Sequence, residues 1–342
     1  MGYWRSHSQT AVFLVLTIVS TLFAFDQLIL LAPTDKVEAC TTFAAIGSFT
    51  SKGQPVVVEN TDVEIGLSAE VRTMTNQGRY SFAAVYVLDK RVRALGYPDG
   101  YPKHGLNEKG LAVVMTSVAT RAVSFNSSGW YCPTHLQDIL ERAATPEEAY
   151  RVLTQNIREH SLASVGSVYG GGLTWIFSNA THVIAAECTS DTVVLVKSFS
   201  DGYVVQTNHY TVLQQYNIQP IGTGSMKRLN RTAELIEKNR GKLNVDLAMK
   251  ITRDHENGAY SICCHKADFR TVASSIMSPA KDADKSAMWT AIGQPCQNEY
   301  VIRTMQTQAA GGGTVSMVLV HDHAVNLVEF KLKRYQRNPD LI

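Results

Sequence analysis

Short apolar runs separated by polar turns dominate the chain after residue 40, and this pattern is typical of β-strands. Residues 41–49 and the β-branched run 55–60 flank a turn cluster at residues 50–53, so together they predict a hairpin. Residues 173–197 predict a meander of three strands. Further strands are predicted over residues 80–88, 111–118, 271–277, 287–292, 315–320 and 324–331.

Helical patterns are confined to the middle of the chain. Thr145 and Glu148 form a capping box and Pro146 occupies the first helical position, so a helix is predicted to begin there and to end near residue 158. Many strands with a few helices grouped between them predict an α+β fold, in which sheets pack together under a cover of helices. Three more helices are predicted, over residues 136–143, 225–238 and 245–253.

The composition is that of an ordinary globular domain. Of the 342 residues, 45% are hydrophobic and 18% are charged, and a chain of this length can bury a sizeable core. The 32 basic and 30 acidic residues give a net charge of +2. Because the charges are nearly balanced, the composition does not indicate a nucleic-acid partner.

An apolar leader stands at the start of the chain. Residues 11–25 carry no charge and follow Arg5, and their length is that of a signal-peptide core rather than of a transmembrane helix. Asp26 would be costly near the centre of a bilayer. We therefore expect a secreted or periplasmic protein, while a membrane anchor formed by residues 11–32 is the alternative.

The leader ends directly before a cysteine. Val37 and Ala39 place residues of small or modest size at positions −3 and −1 before Cys40, which resembles a signal-peptidase site. We expect residues 1–39 to be a signal or pro-segment that is removed on maturation, and residues 40–342 to form the mature domain. Whether this cleavage is autocatalytic stays open. The rival interpretation is an exported lipoprotein-type binding domain acylated at Cys40, although the glutamate at position −2 fits a lipobox poorly.

The predicted hairpin gives Cys40 a chemical role. With the turn near Lys52, opposing residue numbers sum to about 104, so Asp62 comes close to the Cys40 side chain or amino group. After cleavage the α-amino group, with a reference pKa of ~7.7–8.0, can accept the thiol proton near neutral pH, and a nearby carboxylate orients its ammonium form. Attack on a carbonyl then creates an oxyanion that needs hydrogen-bond donors. The alternative is a buried structural cysteine beside a turn aspartate.

Neither the cysteines nor the histidines show the spacing of a known metal site. The chain contains no CxxC, and His321 and His323, which form its H-x-H pair, have no third ligand in view. We therefore expect no metal site and no organic cofactor. The six cysteines are Cys40, Cys132, Cys188, Cys263, Cys264 and Cys296.

Several segments, taken in order, resemble the N-terminal-nucleophile (Ntn) hydrolases. The resemblance is to the acyl-coenzyme A:6-aminopenicillanate acyltransferases of peptidase family C45 and to the related choloylglycine hydrolases and C69-type dipeptidases. Residues 39–43 (ACTTF), followed by residues 60–62 (NTD), match the opening of these families. The remaining matches are residues 104–111 (HGLNEKGL), 207–210 (TNHY), 225–231 (SMKRLNR), 255–257 (HEN) with 261–265 (SICCH), and 292–296 (IGQPC).

The resemblance implies a four-layer αββα sandwich and an amidohydrolase or acyltransferase that acts on linear amides through a thioester. It maps Cys40 to the nucleophile and Asp62 to the acid that positions it. It maps Asn208 to the asparagine that binds the oxyanion, and Arg228 to the arginine near the nucleophile. Taken by themselves, Asn208 could be a turn residue at a strand end and Arg228 a solvated charge on a helix face.

Two residues are assigned to substrate binding, and two positions depart from the family pattern. Ser117 falls where choloylglycine hydrolases carry a second asparagine, and Cys264 stands where C45-like sequences usually have arginine. We assign Ser117 and His265 to substrate binding, while a structural role for His265 stays open. The expected partner is a small-molecule amide, with coenzyme A as a substrate on the acyltransferase branch. The sequence leaves a homo-oligomer open.

Overall fold

The apolar runs form antiparallel β-strands. The computed structural model describes residues 39–75, 78–95, 100–121, 129–162, 171–218, 221–306, 316–321 and 324–325, all within the unit Val37–Ile342. In this part of the chain the strands are β1 (Thr41–Gly47), β2 (Gly53–Glu64), β3 (Ser68–Met74), β4 (Phe82–Leu88), β5 (Tyr101–Asn107), β6 (Ala112–Val118), β7 (Gly172–Ser178), β8 (Val183–Cys188), β9 (Val193–Phe199), β10 (Gly202–Gln206), β11 (Phe269–Ser278), β12 (Ala287–Ile292), β13 (Val301–Gln306), β14 (Ser316–His321) and β15 (Ala324–Val325).

These strands belong to two sheets. Across the described residues, the eight-stranded sheet has the order β10–β1–β2–β11–β12–β13–β14–β15, and the seven-stranded sheet has the order β3–β4–β5–β6–β7–β8–β9. Strand β1, which follows Cys40, is therefore an inner strand paired on both sides. The leader and most of the last predicted strand lie outside the described residues.

Helices occupy the positions that the sequence predicted. The side chain of Thr145 accepts a hydrogen bond from the N–H of Glu148, as a capping box requires. Among the described residues no helix is both long and apolar enough to cross a membrane. The α-helices of this part of the chain are α1 (Cys132–Arg142), α2 (Pro146–His160), α3 (Thr223–Lys238) and α4 (Val245–Thr252), with short 3₁₀ turns at Lys90–Leu95, Gln214–Tyr216, Gly258–Tyr260 and Ala283–Lys285.

Three layers of buried side chains hold the elements together. Between the two sheets, residues such as Val57 and Met277 of one inner face pack against residues such as Val114 and Ile176 of the other. Helices α1 and α2 cover the outer face of the seven-stranded sheet. Helices α3 and α4 cover the outer face of the eight-stranded sheet. The predicted four-layer αββα sandwich is thereby confirmed.

The hairpin β1–β2 forms as predicted but in a different register. Thr41 lies opposite Asn60, so opposing residue numbers sum to 101 rather than 104. Pairing starts with Gly47 opposite Gly53, and both glycines have a φ of 71°, which a side chain would disfavour. A register shift between Ala45 and Gly47 follows. The predicted register was wrong because the turn lies closer to the start of the chain than expected.

The segment that joins β5 to β6 is a hairpin turn that also ends a helix. The side-chain oxygen of Asn107 accepts hydrogen bonds from the N–H groups of Lys109 and Leu111. Its side-chain nitrogen donates to the carbonyl oxygens of Leu140 and Ala143, at the end of α1. One buried amide therefore satisfies both the turn and the free carbonyls of the helix end.

Four strands were not predicted: β3, β5, β10 and β13. Strand β5 has the sequence YPKHGLN, which contains a proline, two basic residues and a glycine, yet all seven positions are buried. The strand forms because β4 pairs along one of its edges and β6 along the other. Its polar side chains have partners within the sandwich, so their burial is not visible from the apolar pattern.

Candidate active site

Cys40 lies at the start of β1, fully buried. Its Sγ is 3.4 Å from the main-chain nitrogen of Asp62 and 3.6 Å from the main-chain oxygen of the same residue. The hairpin therefore brings Cys40 and Asp62 together as the sequence predicted. In the uncleaved chain the nitrogen of Cys40 belongs to a peptide bond with Ala39, which is itself buried.

The Asp62 carboxylate is oriented by the neighbouring strand. Its Oδ1 accepts a hydrogen bond of 2.5 Å from the hydroxyl of Thr271, which lies opposite it on β11. The Thr271 hydroxyl oxygen accepts in turn from the N–H of Cys264, at 2.9 Å. A carboxylate held in this way keeps its position when a charge develops beside it.

Arg228 points from α3 into the site, and only 2% of it is exposed. Its Nε donates to the Thr41 hydroxyl at 3.1 Å, and its terminal nitrogen donates to Oδ1 of Asn208 at 2.5 Å. Burial lowers the pKa of Arg228, while the charges of Asp62, Cys264 and Cys40 oppose that shift. The interpretation of Arg228 as a solvated charge on a helix face is wrong.

Asn208 follows β10 and is fixed in one orientation. Because a guanidinium only donates, the oxygen of the Asn208 amide must face Arg228, and its nitrogen therefore faces the opposite way. That nitrogen donates to the main-chain oxygen of Ser117 at 2.9 Å. An amide nitrogen carries two N–H groups, so the second one can donate to an oxygen of a substrate.

The residues on either side of Asn208 attach it to the first turn of α3. The Thr207 hydroxyl lies 3.1 Å from the main-chain oxygen of Ser225, and Nδ1 of His209 lies 2.8 Å from the Ser225 hydroxyl. Burial lowers the pKa of His209, which keeps its ring neutral at physiological pH. Asn208 is thus held on both sides by one serine of the helix that also carries Arg228.

Ser117 lies beside this group, as the sequence predicted. It also contacts a residue that the sequence analysis did not identify. Its hydroxyl is 3.5 Å from Nζ of Lys103, a lysine of β5 of which only 1% is exposed. Ser117 thus connects this buried lysine to Asn208, because the main-chain oxygen of Ser117 accepts the hydrogen bond from Asn208. Lys103 was missed because β5 itself was not predicted.

His265 lies in a different cluster. Its ring contacts His255, Cys263, Cys296 and Gln294 through nitrogen and sulfur atoms 2.9–3.4 Å away. Of the six predicted site residues, the structure therefore brings five together: Cys40, Asp62, Asn208, Arg228 and Ser117. Cys40 contacts Asp62, the other three are joined by hydrogen bonds, and the bond from Arg228 to Thr41, the residue next to Cys40, connects the two sets.

A sequence model of the family "Acyl-coenzyme A:6-aminopenicillanic acid acyl-transferase" matches residues 49–297. The chain belongs to this family. The predicted C45 relationship is confirmed, and with it the expectation of an amidohydrolase or acyltransferase. The match begins after Cys40 in this acyltransferase-family protein.

The fold is shared with a solved structure. Penicillin V acylase from Agrobacterium tumefaciens superposes with a TM-score of 0.52 at 17% identity, over 82% of this chain and 90% of that chain. Two variants of conjugated bile acid hydrolase from Clostridium perfringens give TM-scores of 0.47 at 15% and 14% identity, over 80% and 79% of this chain and 99% and 97% of theirs. A search of curated proteins finds no match.

Replacing Ser225 tests how Asn208 is held in this acyltransferase-family enzyme. Ser225→Ala removes the hydroxyl that bonds His209, so Asn208 should lose its fixed position. We expect kcat to fall about tenfold with KM nearly unchanged, because a misplaced donor affects the transition state more than substrate binding. Steady-state kinetics on the best amide from a substrate panel measures this effect.

Two variants control that experiment. Ser225→Thr keeps the hydroxyl and should retain most of the activity, whereas Ser198→Ala removes a surface hydroxyl that bonds His182 and should change nothing. A Ser225→Ala enzyme with normal kcat would show that Asn208 is positioned without this serine.

Proposed function

We propose that this protein is an exported cysteine Ntn hydrolase that cleaves a carbon–nitrogen amide bond through a thioester on Cys40. The observation that supports this proposal is that three groups converge on one buried cysteine. Asp62 contacts its sulfur, Arg228 bonds the hydroxyl of the next residue, and Asn208 is locked to Arg228. Transfer of the acyl group to an amine, the reaction for which the family is named, is the alternative fate of the thioester.

In the proposed mechanism the free amine of Cys40 acts as the base. It accepts the thiol proton, and the thiolate sulfur attacks the carbonyl carbon of the substrate. The second N–H of Asn208 donates to the oxyanion of the tetrahedral intermediate. The ammonium then gives its proton to the departing nitrogen as the C–N bond breaks. Water, or an acceptor amine, attacks the thioester and passes a proton to the amine, and the Cys40 thiolate is released.

Asp62 and Arg228 supply opposite charges to this mechanism. The Asp62 carboxylate, fixed by Thr271, favours the ammonium form of the Cys40 amine. The Arg228 guanidinium, which is buried and interacts with Cys40, favours the thiolate form of its sulfur. Both effects are strengthened because the surroundings are buried. Together they favour the ion pair of ammonium and thiolate that attacks the substrate.

The mechanism requires that residues 1–39 be removed, since an amide nitrogen cannot accept the thiol proton. The apolar leader and the small residues before Cys40 support this maturation and an extracytoplasmic location. The rival interpretation, a lipoprotein-type binding domain, finds no support. Cys40 is fully buried beside Asp62, a position that a sulfur carrying a diacylglycerol group could not occupy.

The N-terminus of the purified protein tests the maturation step. We expect mass analysis to read Cys-Thr-Thr-Phe, with a free amine on Cys40, because this amine is the proposed base. An active form that still carries residues 33–39 would contradict the role of the amine. A diacylglycerol group on Cys40 would instead favour the lipoprotein interpretation.

The Cys40→Ala variant tests the nucleophile. We expect it to lose turnover below detection while its circular dichroism spectrum stays that of the unaltered protein, because the side chain is small. The matched control is Cys132→Ala, which removes a half-buried thiol at the start of α1 and should keep full activity. Turnover by Cys40→Ala at the rate of the unaltered protein would refute the proposed function.

The Asn208→Ala variant tests the oxyanion donor. The oxyanion exists only after attack, so kcat should fall on the order of 100-fold with little change in KM, provided that acylation limits the rate. Measuring both constants over the neutral pH range separates this role from simple binding. A normal kcat with a raised KM would mean that Asn208 binds substrate in its ground state.

A further inference from the structure

Four side chains that can bind a metal meet away from the hydrogen-bonded group around Cys40. Their ligand atoms all lie within 4.8 Å of one another. One residue follows α4, two lie between the Gly258–Tyr260 turn and β11, and one lies between β12 and β13. The four residues are His255, Cys263, His265 and Cys296.

The distances within the cluster match a tetrahedral zinc site. Nε2 of His265 is 3.0 Å from Nε2 of His255, and it is 3.4 Å from Sγ of both Cys263 and Cys296. With Zn–N bonds of about 2.0–2.1 Å and Zn–S bonds of about 2.3 Å, tetrahedral ligands lie about 3.4 Å apart for two nitrogens and about 3.6 Å apart for nitrogen and sulfur. The three distances from His265 therefore need to change by only a few tenths of an ångström.

We propose that His255, Cys263, His265 and Cys296 bind one zinc ion as a structural Cys₂His₂ site. Two thiolates and two imidazoles form a donor set that binds zinc in preference to magnesium or calcium. Four protein ligands close the coordination shell, so the ion has no open position for a substrate. On binding, the two thiol protons pass to solvent.

The surroundings of His265 support this proposal. Nδ1 of its ring lies 2.9 Å from the side-chain amide of Gln294, which leaves Nε2 directed at the other three ligands. The atom of Gln294 that faces Nδ1 is its side-chain nitrogen. A metal on Nε2 places a proton on Nδ1, so the Gln294 amide would turn over and accept a hydrogen bond from Nδ1–H through its oxygen. The Cys263 N–H donates to the main-chain oxygen of Asp254, whose side chain is bound by Arg231. The ligand segments are thus anchored before any metal binds.

The site would support the catalytic centre without taking part in the chemistry. Cys264 stands between the ligands Cys263 and His265, and its N–H donates to the Thr271 hydroxyl. That hydroxyl donates to the Asp62 carboxylate. A metal that fixes the segment around Cys264 therefore fixes the group that orients Asp62. His265, which the sequence assigned to substrate binding, becomes a metal ligand.

A disulfide between Cys263 and Cys296 is the competing use of the two thiols. Such a disulfide would not explain why His265 contacts both His255 and the two sulfur atoms. The sequence analysis predicted no metal site, because the ligands come from three separate segments and lack CxxC or HExxH spacing.

The metal content of the purified protein tests the proposal. The full chain carrying Cys40→Ala is used, so that the active-site thiol cannot bind metal and the result is independent of activity. We expect one zinc per chain by inductively coupled plasma mass spectrometry. Cys296→Ser and His255→Gln, which alter exposed ligands, should each lose most of the zinc, and Cys132→Ser should retain it.

Cobalt substitution supplies a second measurement on the chain with all four ligands. Titrating the metal-free protein with Co²⁺ should give the thiolate-to-cobalt charge-transfer band and the intense visible bands of a tetrahedral site, saturating at one equivalent. Circular dichroism checks that the ligand variants are folded. The proposal is overturned by a Cys263–Cys296 disulfide in peptide maps, by a cobalt spectrum without these bands, or by zinc retained in both folded variants.

Discussion

The need to pair every buried polar group on β2 fixes the way the layers of this protein fit together. Glu59, Asn60 and Asp62 are fully buried, and a buried charge without a partner costs several kcal/mol. Glu59 faces the other sheet, where its carboxylate lies 3.3 Å from the His104 ring. Asn60 faces the helices and donates to the main-chain oxygens of Thr252 and Ile262. Apolar packing between the layers tolerates small shifts, whereas these bonds do not.

The candidate active site follows from the same constraint at one end of β2. The start of β1, the end of β10 and the first turns of α3 meet there, and each brings one polar residue: Cys40, Asn208 and Arg228. Burying a guanidinium is unfavourable unless each of its bonds is made. Arg228 makes two of them, to the residue after Cys40 and to Asn208. The cost of burying one charge thus holds the proposed nucleophile and the proposed oxyanion donor in a fixed arrangement.

Residues 261–265 form hydrogen bonds with both β2 and β11 next to this arrangement. Asn60 bonds the carbonyl of Ile262, and the N–H of Cys264 bonds Thr271, which orients Asp62. A segment without regular secondary structure would otherwise be poorly suited to positioning the Asp62 carboxylate. The proposed metal site would make the segment 261–265 more rigid. The departure from the family at Cys264 leaves this link intact, since the main chain rather than the side chain makes the bond to Thr271.

The sequence by itself determined the four helices and most of the strands, that they form layered sheets under helices, and that Cys40 meets Asp62. These features depend on patterns within about 25 residues, where turn chemistry and apolar spacing are decisive. Only the tertiary structure decided the register of the hairpin, the existence of β5, the burial of Lys103 and Arg228, and the meeting of four metal-binding side chains. A polar residue is buried only where the fold supplies a hydrogen-bonding or ionic partner, and here the partners are distant in the sequence. No local pattern carries that information, so the folded structure alone supplies it.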